Sequence, residues 1–174
     1  MLVPKAPKWA TIVLAAAISV ATAAAAPAFT LDISLASYVV KAGSDLKLTV
    51  TLTNTSDRYI TVSMWAPEER SFAVDVREQD GSAAGKTRYY RMIMGDDTGK
   101  DASEPPLDPT KTTVEVFRSG FAGVQPGETK TYSFLINKLY DLSQPGKYTI
   151  QVSQDDSLNK LTVKSNTISL TITN

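Results

Sequence analysis

Asp97-Thr98-Gly99 is the first triplet in this chain that spells a catalytic signature. Aspartic proteases use it twice, because two carboxylates must share one proton. No second copy occurs in the 174 residues, and the flanks, Gly95-Asp96 and Lys100, are not apolar. So short a motif counts only in its structural context, and this one stands in a stretch that reads as loop. That stretch, Gly95 to Lys111, holds Asp96, Asp97, Asp101, Glu104 and Asp108 among Pro105, Pro106 and Pro109. Asp96, Asp97 and Asp101 offer the hard oxygen atoms that calcium takes. Their spacing is not that of an EF-hand: Lys100 falls where a third ligand belongs, and no Glu closes the loop at the twelfth place. A solvated acidic loop is the simpler reading, and no metal or cofactor is expected.

Other constellations are thinner still. Ser44-Asp45-Leu46-Lys47 and Ser157-Leu158-Asn159-Lys160 match Ser-x-x-Lys, but an acylating serine needs a helix start that neither place offers. Glu68 and Glu69 are adjacent and would diverge on a strand, so they mark no glycosidase pair. Acids remote in sequence leave a carboxylate-only hydrolase as an alternative. The chain has no histidine and no cysteine. That removes imidazole and thiol catalysis, the usual zinc, copper and haem sites, and disulfides. No enzyme is expected.

The aromatic residues point elsewhere. Trp65, Tyr59, Tyr89 and Tyr90 fall on neighbouring expected strands, and Arg91 follows them. Exposed on one face, such rings stack on sugars or anchor a protein partner. Trp65, Tyr89, Tyr90 and Arg91 are therefore the contact candidates. The competing reading buries Trp65 and one tyrosine in the core, as strand aromatics usually are. Asn54-Thr55-Ser56 is a glycosylation sequon in a eukaryotic host, and more simply a turn whose short side chains bond nearby backbone.

The elements that position these residues have a period of two. Phe29, Leu31, Ile33 and Leu35 alternate with polar neighbours, and so do Leu46, Leu48, Val50 and Leu52. Further strands are expected over Tyr59–Trp65, around Phe72, Val74 and Val76, and over Thr87–Met94, Thr112–Phe117, Thr129–Ile136, Lys147–Val152 and Asn166–Thr173. One-sided alternation implies antiparallel sheets sharing a core. One short helical turn is expected at Asn137–Ser143.

The first 28 residues read as a signal-peptide helix. Lys5 and Lys8 precede an uncharged stretch from Ala10 to Ala26, which ends in small residues. Ala26-Pro27-Ala28 fits a cut that frees Phe29. A cut after Ala25 fits as well, whereas one after Ala26 would leave Pro27 first. An uncleaved anchor is the rival, although the stretch is shorter than the ~20 residues of a spanning helix. Residues 29–174 then form a single domain, exported to a periplasmic or extracellular space. It carries 18 acidic against 16 basic residues, a net charge of −2, which argues against a nucleic-acid partner. No second apolar run is long enough to meet a membrane.

Two resemblances add to this. Leu142-Ser143-Gln144-Pro145-Gly146-Lys147-Tyr148-Thr149-Ile150-Gln151-Val152 resembles the entry to the penultimate strand of an immunoglobulin-like or fibronectin type III-like sandwich. The likeness implies a turn at Pro145 and Gly146 and a corner tyrosine at Tyr148 that bonds backbone a few residues upstream. Asn54-Thr55-Ser56, Phe72 to Gln79, Asp80-Gly81 and Tyr89-Tyr90-Arg91 are similar in order to the BsuPI-type proteinase inhibitor domain. That likeness implies a β-sandwich that binds proteinases; the tryptophan expected beside the arginine is missing here. The expectation is an all-β, antiparallel immunoglobulin-like sandwich, exported and non-enzymatic. It recognises a protein or glycan of the cell envelope through strand edges and loops, with a proteinase inhibitor as the alternative.

Overall fold

The computed structural model describes residues 26–95 and 118–174. Residues 1–25 of the expected leader 1–28, the acidic loop with Asp96, Asp97 and Asp101, and the expected strand Thr112–Phe117 lie outside the described residues.

Alternation becomes sheet. β1 (Phe29–Leu35) turns Phe29, Leu31, Ile33 and Leu35 inward. β3 (Lys47–Asn54) does the same with Leu48, Val50 and Leu52. β1, β3 and β7 (Thr129–Leu135) pair antiparallel in that order as the first sheet. The second sheet runs β2 (Val39–Lys41), β10 (Ile168–Thr173), β8 (Gly146–Asp156), β5 (Ala73–Glu78), with β9 (Leu161–Lys164) also on β8. Leu48, Val50 and Leu52 of one sheet share one core with Ile150, Val152 and Leu170 of the other. Burial of these side chains drives folding at about 25 cal/mol per Å2 of apolar surface. The orders β1-β3-β7 and β10-β8-β5 are the A-B-E and G-F-C orders of an immunoglobulin-like sandwich. β4 (Ile60–Ala66) and β6 (Arg118–Val124) form a separate two-stranded ribbon.

Several elements differ from the expectation: β6, β9 and a 3-10 turn at Glu68–Ser71 have no expected counterpart, and β2 and the stretch Thr87–Met94 differ in kind. β2 pairs parallel to β10, Val39 opposite Thr171. The chain leaves the first sheet after Leu35 and crosses to the second without reversing direction. Ser37 Oγ braces this crossing by donating to the Val39 carbonyl at 2.7 Å. The stretch expected as a strand over Thr87–Met94 is instead α1 (Arg88–Met94). Thr87 caps its first turn, its Oγ1 accepting from Tyr90 N at 3.1 Å. Gly95 closes the helix at φ 76°, a left-handed conformation that glycine adopts without a Cβ penalty.

The turns are fixed by polar side chains. Asn54 is 1% exposed and makes four hydrogen bonds. Its Nδ2 donates to the carbonyls of Arg58 and Val124, and its Oδ1 accepts from Ser56 N and Ser56 Oγ. That engaged amide serves the fold rather than a glycan. Tyr148 donates its hydroxyl to the Gln144 carbonyl at 2.9 Å, across the turn that Pro145 and Gly146 make into β8. A 3-10 turn at Ile136–Lys138 begins one residue before the helical turn expected at Asn137–Ser143.

Candidate functional site

The site is built from β4 and β6. Ile60 and Val62 of β4 and Val124 of β6 are buried in the core. The opposite face of the ribbon therefore presents Thr61, Ser63 and Trp65 beside Ser119, Phe121 and Gly123. Phe121, opposite Ser63, is 79% exposed. Tyr59, just before β4, is 54% exposed and lies over Gly123. A Cβ on Gly123 would stand 1.9 Å from the Tyr59 hydroxyl, so the missing side chain is what lets the ring settle there. Tyr59, Phe121 and Trp65 thus share one face over a strand length of roughly 20 Å, at about 3.3 Å per residue.

The edges of the ribbon are unequal. Trp65 N donates to Ser71 Oγ at 2.8 Å, and the Ser63 carbonyl accepts from Gln154 Nε2 at 2.9 Å. These contacts cover the side of β4 away from β6. Because bonded pairs alternate in an antiparallel ladder, the pairs facing inward are Ile60–Val124, Val62–Ala122 and Met64–Gly120. The backbone N–H and C=O groups of Ser119, Phe121 and Gly123 then point outward along β6. Among the described residues β6 pairs with β4 alone. A shallow, mostly apolar groove of about 390 Å3 runs beside it, lined by Trp65, Gly120, Phe121, Ala122 and Tyr132 among others. Burial pushes the Tyr132 hydroxyl above its ordinary pKa of 10.0, so it stays a neutral donor at that groove.

The sequence candidates divide. Trp65 is in the groove, with the Arg70 guanidinium 4.3 Å from its ring centroid. Tyr89, Tyr90 and Arg91 are on α1 and do not extend a strand face. Tyr89 donates to Glu69 Oε1 at 2.6 Å; Tyr90 packs against Tyr140 at 5.5 Å between ring centroids; Arg91 donates to the Lys86 carbonyl at 3.0 Å. Those contacts dock the helix on the body. The 3-10 turn Glu68–Ser71 links the two groups, Arg70 reaching Trp65 and Glu69 reaching Tyr89. Phe121 and Gly123 were missed because Ser119-Gly120-Phe121-Ala122-Gly123 shows no alternation. A lone aromatic among small residues was the available signal.

The described acids with lowered pKa serve turns. Hydrogen bonds from Ser82 hold Asp80 low, those from Ser143 hold Asp141 low, and Lys130 with the Gln125 amide holds Glu128 low. Among the described residues no three acids gather where a metal would be held.

No family model and no curated protein matches this chain. Solved structures do. One is the CARDB domain of a Pyrococcus furiosus protein in complex with di-metal ions, with TM-score 0.45 and 13% identity, over 84% of this chain and 93% of that one. Another is a β-glucosidase from Erythrobacter marinus, with TM-score 0.41 and 14% identity, over 84% of this chain and 16% of that one. A third is a β-glucosidase from Listeria innocua with isofagomine, with TM-score 0.40 and 15% identity, over 83% of this chain and 16% of that one. Likeness at this level transfers neither ligand nor activity.

Proposed function

We propose that this chain is an exported, non-catalytic binding module that takes an extended polypeptide as an added strand on the outer edge of β6. The observation that carries the reading is an edge left unpaired among the described residues, beside an exposed ring. Natural sheets blunt their edges with charge, proline or cover. β5 has Asp75 and Arg77, β7 has Lys130, β2 has Lys41 and β9 has Lys164. β1 is covered at Ile33, whose N–H donates to Asn166 Oδ1 at 2.7 Å and whose carbonyl accepts from Asn166 Nδ2 at 3.1 Å. β6 has Arg118 as its first residue, but from Ser119 to Val124, the stretch around Phe121, it carries no charge and no proline. Strand addition takes its affinity from backbone bonds and its specificity from pockets for alternate side chains. The groove by Trp65 and Tyr132 is such a pocket. The signal-like first 28 residues support export, to a periplasmic or extracellular space.

A displayed library of random dodecapeptides tests this. Peptides with apolar residues at alternate positions should enrich on the wild-type chain. Binding should fall at least tenfold both in Phe121→Ala, which removes the anchor, and in Ser119→Pro, which removes one outward N–H and leaves the β4 pairing intact. Both variants should keep the wild-type melting transition. Sugar stacking needs the ring and not the backbone. Binding to immobilised glycans that is lost in Phe121→Ala and kept in Ser119→Pro would overturn strand addition in favour of a glycan, and failure of any peptide to enrich would also overturn it.

A further inference from the structure

We infer that the cleft between the start of β4 and the turn joining β8 to β9 binds one neutral pyranose unit of a glycan, at a site separate from the β6 edge. The cleft encloses about 330 Å3, near the lower end of the range for small-ligand sites, roughly 300–1,000 Å3. Phe29 and Ile60 line it and are buried, so its floor is apolar. Tyr59 and Leu158 also line it, and they are 54% and 52% exposed. Large apolar side chains left in water around one concave site mark a ligand surface. The C–H face of a sugar ring covers such a surface, an aromatic ring above all, while the sugar hydroxyls stay free to bond at the rim.

The rim supplies those bonds. A hydroxyl donates and accepts, so its site needs both functions. Arg58 brings guanidinium donors and Asp155 a carboxylate acceptor, with the hydroxyls of Thr61 and Ser157 between the two roles. Thr162 Oγ1 donates to Asp155 Oδ1 at 2.9 Å, which steadies the carboxylate and leaves Oδ2 for a ligand. The walls are held from behind. The Arg58 carbonyl accepts from Asn54 Nδ2 at 2.8 Å and from Ser56 Oγ at 3.1 Å. Asp156 Oδ1 accepts from Leu158 N at 3.1 Å. Walls fixed in advance spare a ligand the cost of ordering them.

Charge selects a neutral sugar. Asp156 is buried and surrounded by its own donors, Ala28 N, Leu158 N, Asn159 N and Asn159 Nδ2. That leaves Arg58 and Asp155 as the charges open to the cleft, one of each sign. An acidic or a basic sugar would gain at one of them and lose at the other. A neutral ring uses both, with the guanidinium donating to its oxygens and the carboxylate accepting from its hydroxyls.

An array of neutral, acidic and basic glycans, probed with the purified full chain, tests this. The best-retained neutral disaccharide is then titrated into isotope-labelled chain and followed by NMR. Neutral glycans should be retained, and the amide shifts should gather at Arg58, Thr61 and Ser157. Arg58→Ala and Asp155→Ala should each weaken binding at least tenfold and keep the wild-type melting transition. Phe121→Ala and Ser119→Pro, aimed at the β6 edge, should bind the sugar as the wild type does, so this site and strand addition fail separately. No retained glycan, retention of charged glycans alone, or wild-type affinity in either Arg58→Ala or Asp155→Ala overturns the inference. Sugar binding lost in Phe121→Ala, or amide shifts gathered along β6, would place the sugar on the ribbon and overturn it as well.

Discussion

Asn54 Nδ2 donates to the Val124 carbonyl at 3.0 Å, which fastens β6 to the end of β3. The same amide nitrogen holds the Arg58 carbonyl at 2.8 Å, on the approach to β4. One buried side chain therefore ties both strands of the ribbon to the sandwich, and the exposed face of that ribbon depends on it. Asn54→Ala deletes four hydrogen bonds, among them the second donor to the buried Val124 carbonyl, at about 1–3 kcal/mol in all. Urea unfolding should show the midpoint lowered by an amount in that range. Asn54→Asp should do no better at neutral pH, because a carboxylate would face two carbonyl oxygens. A midpoint equal to that of the wild type in either variant would remove this role from Asn54.

Gly123→Ala tests the seat of Tyr59. The added Cβ would stand 1.9 Å from the hydroxyl and 2.7 Å from Cζ of that ring. Tyr59 is half exposed, so its ring can swing away, and the stability cost should stay within about 1 kcal/mol, as for ordinary surface changes. The tyrosine should become more solvent-accessible, read in NMR as loss of the ring-current shift on the Hα of residue 123, or as faster ring nitration. A loss of several kcal/mol would mean the ring is held harder than its exposure indicates.

How much of this was legible follows from where the pattern was strong. β1 and β3 bury one face each, and alternation found them almost to the residue. α1 was read as a strand because Tyr89, Tyr90 and Ile93 are strand-favouring types, and seven residues are too few to show a helical period. The cap residues were the better evidence: Thr87 three places before Tyr90, and Gly95 directly after Met94. β6 left no trace because its glycines and alanine bury little. The role of Asn166, which bonds Ile33 across 133 residues, is set by tertiary position alone. Tyr148 was visible because its turn is local; its acceptor Gln144 is four residues away.

Tyr140 gives the fold an alkaline limit. Its buried hydroxyl donates to the Val74 carbonyl, linking the loop before β8 to β5. Burial, followed by the neighbouring Tyr90, raises its pKa well above the ordinary 10.0. The unfolded chain then releases this proton at lower pH than the folded one. Its contribution is complete below about pH 10 and is lost as pH rises toward the folded value. Denaturant midpoints should fall from pH 9 to pH 11, and less steeply in Tyr140→Phe. That variant should also lose about 1 kcal/mol at neutral pH with its hydrogen bond. Equal slopes in the two chains would assign the alkaline loss to other tyrosines.

Asp156 sets a limit at the acid end. Burial pushes its carboxyl up, but the donors Ala28 N, Asn159 Nδ2, Asn159 N and Leu158 N outweigh it and hold the pKa below the ordinary 3.8. A carboxyl lowered by folding contributes stability above its unfolded value and loses it as pH falls toward its folded one. The wild type should therefore lose stability below about pH 4. Asp156→Asn keeps the shape but points an NH2 at groups that are all donors, so it should cost about 1–3 kcal/mol at pH 7. Its stability should then fall less steeply in acid, because this titration is gone while those of Asp80, Glu128 and Asp141 remain. Parallel acid limbs in the two chains would show that Asp156 does not supply the difference, and that its four donors hold the turn without favouring its charge.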